Sequence, residues 1–142
     1  MIGIGSDQGG FALKEAIKKH LEARGLEYKD YGPYSSASCD YPVYGRAVAM
    51  AVAAGECELG ILICGTGIGI SITANKVPGV RAALCSDCFS AEATRQHNNA
   101  NILALGARVL GEGLAFKIVD TFLDTPFSND ERHIRRISMI EE

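Results

Sequence analysis

The sequence predicts an α/β protein built on a five-stranded parallel sheet with helices on both faces. Short apolar runs alternate along the chain with longer stretches in which apolar residues recur at helical spacing. Strands separated by helices run parallel, because each crossover returns the chain to the same edge of the sheet. With 142 residues, 47% of them apolar and 22% charged, the chain has the composition of a single globular domain over residues 1–142.

The elements follow in order from local patterns. A strand over 1–5 leads into a helix over 11–24, whose Leu13, Ile17 and Leu21 share one face and which stops at Gly25. The other strands are predicted over 27–31, 59–64, 80–85 and 101–105. The other helices are predicted over 41–54, with Pro42 in its first turn, and over 68–75, 87–97 and 113–123. The tail from residue 125 is polar and charged. The core is expected to contain Ile61, Ile63, Val80, Ala82 and Leu84.

Charge and composition exclude several classes of partner. The formal net charge of −3 gives no electrostatic reason to bind nucleic acid or an anionic membrane. No apolar stretch reaches the ~20 residues of a membrane-spanning helix. The strand-like MIGIG start lacks the basic region of a signal peptide. The five cysteines are an odd number, so we interpret them as reduced thiols of a cytoplasmic protein.

The segment LGILICGTGIG, residues 59–69, brings a cysteine and a glycine-rich loop to the carboxyl end of the third strand, where parallel sheets bind ligands. The glycines allow backbone N–H groups to converge on an anion, although glycine also marks ordinary tight turns. Cys64 is either a small buried apolar residue or a thiol activated by the loop and the following helix. A thiolate there could attack a carbonyl, or remove a proton from the adjacent carbon while N–H groups hold the enolate.

Other polar residues admit two interpretations each. Asp7 ends the first strand and is either a helix N-cap or a site residue. His97, in RQHNNAN, either faces solvent at a helix end or exchanges protons with a ligand. Arg132 and Arg136 would share one face of a helix, which suits a solvated basic surface or a clamp for phosphate oxygens.

Two functions of other classes remain as alternatives. Cys85-Ser86-Asp87-Cys88 is a C-x-x-C at a strand-to-helix junction, as in thiol redox proteins, but the Trp-Cys and cis-proline surroundings of that fold are absent. The other alternative is a nucleotide- or phosphosugar-binding module without catalysis. A thiol that faces an anion site argues against such a module.

Longer motifs carry a family resemblance. With GSDQGG at 5–10, DYP at 40–42, ICGTGIGISITANKVPGVRAALC at 63–85 and TRQHNNANILALGARVLG at 94–111, the sequence resembles the type B ribose-5-phosphate isomerases, a family that includes the galactose-6-phosphate isomerase subunits. The resemblance implies a Rossmann-like three-layer α/β/α sandwich and an aldose–ketose isomerase without metal or cofactor. It also implies active sites shared between subunits of a homodimer or tetramer, with the tail from about 125 to 142 packed on the partner.

The resemblance implies a role for each matching residue. Cys64 would be the base that moves a proton between C1 and C2, and Thr66 would assist proton movement on the sugar oxygens. His97, with Asp7 nearby, would open the furanose ring. The enediolate would be held by the loop residues Gly65, Thr66, Gly67, Ile68 and Gly69. The sugar and phosphate contacts would be Gln8, Tyr41, Asn98, Arg108, Arg132 and Arg136.

The substrate implied is a phosphorylated sugar, interconverted as ribose 5-phosphate and ribulose 5-phosphate through an enediolate. A six-carbon sugar, allose 6-phosphate or galactose 6-phosphate, is the alternative. One position departs from the family, which commonly has histidine where this chain has Gln8. Glutamine donates hydrogen bonds but carries no charge, which predicts weaker substrate binding or a different preferred sugar.

Overall fold

In the computed structural model, which describes residues 1–142, five strands and five helices alternate along the chain, and a sixth helix follows the last of them. The strands are β1 (Ile2–Ser6), β2 (Tyr28–Asp30), β3 (Leu59–Cys64), β4 (Ala82–Leu84) and β5 (Ile102–Gly106). The helices are α1 (Phe11–Ala23), α2 (Tyr41–Ala53), α3 (Ile68–Ala74), α4 (Cys88–Asn98), α5 (Glu112–Asp124) and α6 (Glu131–Ile140). No helix combines the length and the apolar character that crossing a membrane requires.

The sheet is parallel throughout, with the strand order β2-β1-β3-β5-β4. From β1 the chain moves outward to β2 and then crosses back to β3, so the direction of winding changes between β1 and β3. Ligands of such sheets bind at the carboxyl ends of the strands at this change of direction. Ser6 at the end of β1 pairs with Ile63, and Cys64 pairs with Gly106 at the end of β5. The residues that follow β1, β3 and β5 therefore lie side by side at the carboxyl ends of these strands.

Successive side chains of β3 point to opposite faces of the sheet, so the core is divided into two clusters, one on each face. Ile61 and Ile63 belong to a buried cluster with apolar residues of α1, α4 and α5. Leu62 and Cys64 belong to a second cluster with α2 and α3. The predicted three-layer sandwich with a five-stranded parallel sheet is confirmed, and Cys64 lies on the side covered by α2 and α3.

One expectation about local structure is wrong. The sequence predicts a core strand over 80–85, whereas β4 spans Ala82–Leu84, Ala82 is half-buried and Leu84 is 40% exposed. β4 is the edge strand beyond β5, so one of its sides has no neighbouring strand. The polar tail contains α6, which carries Arg132 and Arg136 and begins where the carboxylate of Asp130 accepts a hydrogen bond from the N–H of Arg132. All other predicted boundaries agree within one residue.

Candidate active site

The thiol of Cys64 stands at the last position of β3, facing the loop that leads to α3. The residue is only 5% exposed, and its Sγ accepts a hydrogen bond from the backbone N–H of Gly67 at 3.1 Å. The bond fixes the sulfur beside the loop, with a backbone N–H as its hydrogen-bond donor. Cys64 therefore fits both interpretations of its sequence position: it fills the core and presents its sulfur to the glycine loop.

The glycine loop, residues 65–69, is shaped by positions at which a side chain does not fit. Gly67 has φ of 79°, and an added Cβ would lie 2.9 Å from the carbonyl carbon of Leu105. A Cβ on Gly69 would lie 2.7 Å from the ring of Tyr41, so this ring closes over the loop. On the other side, the N–H of Arg108 donates to the carbonyl oxygen of Gly65 at 3.0 Å. Two predicted substrate contacts, Tyr41 and Arg108, thus flank the loop.

The backbone N–H groups of the glycine loop divide into two sets. Two are used within the segment, since Gly67 donates to Cys64 Sγ and Ile68 donates to the hydroxyl of Thr66 at 3.2 Å. The N–H groups of Gly65, Thr66 and Gly69 have no hydrogen-bond partner within the chain. These three are available to an oxyanion, whereas the N–H of Gly67 serves the thiol.

Asp7 and Gln8 follow β1 and lie beside the same loop. Asp7 Oδ1 accepts a hydrogen bond from the N–H of Gly10 at 3.0 Å, so it closes the turn before α1. The N-cap of α1 is Gly10 and not Asp7, which differs from the capping interpretation. The Oε1 of Gln8 accepts from the N–H of Cys39 at 3.2 Å and lies 3.4 Å from its thiol. This arrangement turns the NH₂ group of Gln8 away from Cys39. Cys39 carries no functional signal in the sequence, and its contact with Gln8 depends on a loop that sequence patterns do not place.

His97, Asn98, Arg132 and Arg136 form a second group, which we call the α4–α6 group. All four are exposed, and Arg132 forms an ion pair at 3.6 Å with Asp130 that is itself largely exposed. The ring of His97 lies against that of His133, with centroids 4.6 Å apart and planes inclined at 38°. This contact joins the end of α4 to α6.

His133 is a residue of this group that the sequence did not single out. It is 6% exposed, and its Nδ1 lies 2.9 Å from the hydroxyl oxygen of Ser128. Burial lowers the pKa of His133, and the nearby charges of His97, Arg132 and Arg136 lower it further. The ring is therefore neutral at pH 7. Its position between two arginines in the sequence resembles a solvated basic run, which conceals its burial.

The α4–α6 group and the Cys64 loop lie at opposite ends of the strands. Cys64 pairs with the last residue of β5, whereas α4 runs back to the start of β4, where the guanidinium of Arg81 donates to the carbonyls of Asn98 and Asn99. β5 has five residues, so the two ends of the strand are about 15 Å apart at roughly 3.3 Å per residue. Within one chain, His97 does not reach a ligand held at Cys64.

The C-x-x-C segment has the character of structural residues. Cys85 is buried, and burial, with a smaller effect of Asp87, raises the pKa of its thiol to about 11. Asp87 caps α4 by accepting a hydrogen bond from the N–H of Ser90 at 2.7 Å. A thiol of this kind is a poor nucleophile at neutral pH, which argues against the redox alternative. No group of three or more His, Cys, Asp or Glu side chains is arranged to hold a metal ion.

Comparison with known proteins gives consistent matches over the whole chain. The profile of the Ribose/Galactose Isomerase family matches residues 2–140. Ribose-5-phosphate isomerase B of Escherichia coli is 51% identical over 139 residues, which cover 98% of this chain and 93% of that protein. The galactose-6-phosphate isomerase subunit LacB of Clostridium acetobutylicum is 39% identical, covering 100% of this chain and 82% of that protein.

A solved structure agrees with these sequence matches. Ribose-5-phosphate isomerase B of Clostridium thermocellum superimposes with a TM-score of 0.97 at 54% identity, covering 99% of this chain and 94% of that one. Family, fold and the resemblance carried by the motifs therefore coincide. The chain belongs to the ribose/galactose isomerase family.

Proposed function

We propose that this chain interconverts ribose 5-phosphate and ribulose 5-phosphate through an enediolate, with Cys64 as the base. The observation that carries the proposal is the hydrogen bond from the N–H of Gly67 to Cys64 Sγ, beside three N–H groups that remain open to an oxyanion. The relatives from Escherichia coli and Clostridium thermocellum are named ribose-5-phosphate isomerase B, which supports ribose 5-phosphate as the sugar.

The reaction begins with the closed ring of the aldose. His97 donates a proton to the ring oxygen and Asp7 accepts the proton of the anomeric hydroxyl, which leaves the open-chain aldehyde. The Cys64 thiolate then removes the proton from C2. The electron pair forms a C1–C2 double bond, and the charge that develops on O1 is stabilised by the free N–H groups of Gly65, Thr66 and Gly69.

The second half of the reaction returns the proton to the sugar. The hydroxyl of Thr66 assists transfer of the O2 proton to O1, and Cys64 gives its proton to C1, which yields the ketose and restores the thiolate. Arg108, Arg132 and Arg136 hold the phosphate, since guanidinium groups match phosphate oxygens in geometry and charge. The scheme requires neither a metal nor a cofactor.

The site takes its two groups from two subunits. His97 and Cys64 of one chain lie beyond opposite ends of the strands, too far apart to act on one sugar. A symmetric dimer would combine the Cys64 loop of one subunit with the α4–α6 group of the other. Exposed apolar side chains on α6, among them Ile134, Met139 and Ile140, support packing of the tail against a partner. A tetramer of two such dimers would satisfy the same requirement.

The role of Cys64 is tested by Cys64→Ala. We expect kcat for ribose 5-phosphate to fall by on the order of 10³, the range of a lost general base. The matched control is Cys57→Ala, because Cys57 is also buried on the α2 and α3 side and has the hydroxyl of Tyr31 as its neighbour. Ketose formation is followed in the presence of a chelator. Near-parental activity of Cys64→Ala, or an equal loss in Cys57→Ala, would contradict the proposal.

The shared site is tested by mixing two inactive variants. Cys64→Ala and His97→Ala chains are unfolded together and refolded, so that half of the dimers are mixed and one of the two sites in each mixed dimer has both residues intact. We expect roughly a quarter of the parental activity on ribose 5-phosphate to return. No recovery from folded, dimeric protein would refute a site built from two subunits.

A six-carbon substrate is the second candidate, because Gln8 departs from the family pattern and the LacB relative is named for galactose 6-phosphate. The amide of Gln8 is held by Cys39 with its NH₂ group free to donate. Initial rates on ribose 5-phosphate, allose 6-phosphate and galactose 6-phosphate decide between the sugars. Turnover confined to a six-carbon phosphate would keep the mechanism and change the substrate.

A further inference from the structure

We infer that His133 is a positioning residue for His97, holding the acid that opens the sugar ring in its working orientation. The inference rests on the proposed function and deepens it, because it concerns how the α4–α6 group carries out one step. His133 would act through His97 and not on the sugar itself.

The first argument is the burial of His133 within an otherwise exposed helix. It is the single buried residue of α6, whereas its neighbours Arg132 and Ile134 are exposed. A buried imidazole is stabilised only when its ring nitrogens find partners. Nδ1 lies 2.9 Å from the hydroxyl oxygen of Ser128, which also accepts a hydrogen bond from the N–H of Asp130 at 3.2 Å. The ring is therefore fixed to the segment that precedes α6.

The same segment is fixed to the residue before His97. The backbone N–H of Ser128 donates to the carbonyl oxygen of Gln96 at 3.3 Å. His133 thus contacts His97 through its ring, at 4.6 Å between centroids, and is connected to the backbone of α4 through Ser128. An exposed side chain at a helix end changes rotamer freely, and a fixed ring beside it limits that freedom. His97 has such a ring on one side.

The second argument is charge. The groups around His133 are His97 on α4, Arg132 and Arg136 on α6, and Asp130 at the start of α6. Burial and the three basic neighbours keep His133 neutral, while Asp130 opposes them. A neutral His133 adds no positive charge beside His97, so it does not oppose the presence of the proton that His97 transfers to the ring oxygen.

The third argument is the helix that His133 shares. Arg132 and Arg136, the proposed phosphate contacts, stand on α6 on either side of His133 in the sequence. A helix that shifts to meet the phosphate moves His133 with it. Binding of the phosphate and placement of His97 are therefore linked through one rigid element.

A double-mutant comparison separates a positioning role from a general structural one. Ribose 5-phosphate enters as a closed ring and needs His97. A misplaced His97 slows turnover of this sugar, and kcat/KM for ribulose 5-phosphate falls by the same factor, because the equilibrium constant fixes the ratio of the two values. A chain that already lacks the His97 imidazole has no placement left to lose, whereas a general structural defect adds to the loss.

The experiment measures kcat/KM for ribose 5-phosphate in His133→Ala, His97→Ala and the double variant. We expect a loss on the order of 10- to 100-fold for His133→Ala, the effect of a misplaced catalytic group. In a His97→Ala background, adding His133→Ala should cause no further loss. Parental activity of His133→Ala, or a further loss in the His97→Ala background, would overturn the inference.

Two more variants keep the test decisive. Ser128→Ala leaves both rings in place and removes only the anchor of His133, so it should show a smaller loss that is likewise absent in the His97→Ala background; if His133→Ala does not fold, this variant decides. The control is His20→Ala, because His20 also stacks on an aromatic ring, that of Phe116 at 4.5 Å, and bonds to Asp120 at 2.8 Å, outside the site. A comparable loss in His20→Ala would overturn the inference. If the parent converts neither sugar, the proposed function fails as well.

Discussion

Gly67→Ala tests whether the stability of the fold and the reactivity of the Cys64 thiol depend on the same backbone conformation at residue 67. At φ of 79° an alanine is strained by about 1–2 kcal/mol. Its Cβ would lie 2.5 Å from a methyl group of Leu84 and 2.9 Å from the carbonyl carbon of Leu105. The Leu84 side chain is exposed and moves aside, but the backbone of β5 is paired with β3 and does not, so overpacking adds about 1–3 kcal/mol. The stiffer unfolded chain offsets about 0.4–1 kcal/mol of this cost, which leaves a net loss of about 1–5 kcal/mol in the free energy of unfolding.

Gly55→Ala is the matched control for this variant. Gly55 has φ of 80°, and an added Cβ would meet nothing within 4 Å. It should therefore lose only the net strain, about 1 kcal/mol or less. The difference between the two variants measures the contact with β5. For catalysis, displacing the N–H of Gly67 from Cys64 Sγ should lower kcat by on the order of 10², the scale of a lost anion donor, while Gly55→Ala keeps the parental kcat.

Urea unfolding at pH 7 gives the free energies of unfolding, and initial rates on ribose 5-phosphate are measured where each variant is fully folded. Equal destabilisation of Gly67→Ala and Gly55→Ala would refute the argument from the β5 contact. A parental kcat in a measurably destabilised Gly67→Ala would refute the link between this N–H and the reactivity of the thiol.

The other predictions concern a buried ion pair, the unused thiols and the residue that departs from the family. Lys14 is fully buried with its ammonium 2.7 Å from both oxygens of Asp30, so Lys14→Met should lower the free energy of unfolding in urea by about 3 kcal/mol, and a loss under about 1 kcal/mol would contradict this. Burial alone would raise the pKa of Asp30, but hydrogen bonds from lysine and backbone donors lower it overall. The stability that Asp30 contributes is therefore present above its unfolded pKa of about 4 and is lost as pH falls through the lower folded pKa. Urea unfolding at a series of acid pH values should show this dependence in the parent and not in Asp30→Asn. Replacing Cys85 and Cys88 together by alanine should leave kcat unchanged, and loss of isomerase activity from folded protein would restore the redox alternative. Gln8→His should lower KM for ribose 5-phosphate or change the ranking of the sugars; the same KM and ranking as the parent would remove position 8 as a determinant.

Local patterns in the sequence predict the strands and helices well, because periodicity and turn residues are local properties. They do not determine strand order. The apolar residues of 80–85 have the pattern of a core strand, yet Leu84 is exposed because β4 pairs only with β5 at the edge of the sheet. The connection from β3 to β4 passes over the position that β5 takes between them. This order depends on contacts between distant parts of the chain, and no local pattern within β4 predicts it.

The candidate site was predictable in its parts more than in its arrangement. Cys64 and the glycines are adjacent in the sequence, so their chemistry follows from the residues themselves. The contact of His97 with His133 joins two helices, and the contact of Gln8 with Cys39 joins the end of β1 to a distant loop. Side-chain contacts of this kind depend on packing between elements, which neither composition nor spacing specifies.

Helix α6 is attached to the rest of the chain mainly at its two ends. At its start it is anchored by Ser128 and His133, and at its end the carboxylate of Glu141 is paired with Arg81. Elements held by few buried contacts open before the core of a protein unfolds. Mild heating should therefore release α6 while the sheet is still intact. Arg132 and Arg136, the proposed phosphate contacts, would then be displaced while the circular dichroism stays close to native. Activity lost in this way should return promptly on cooling, since no strand has to find its neighbour again.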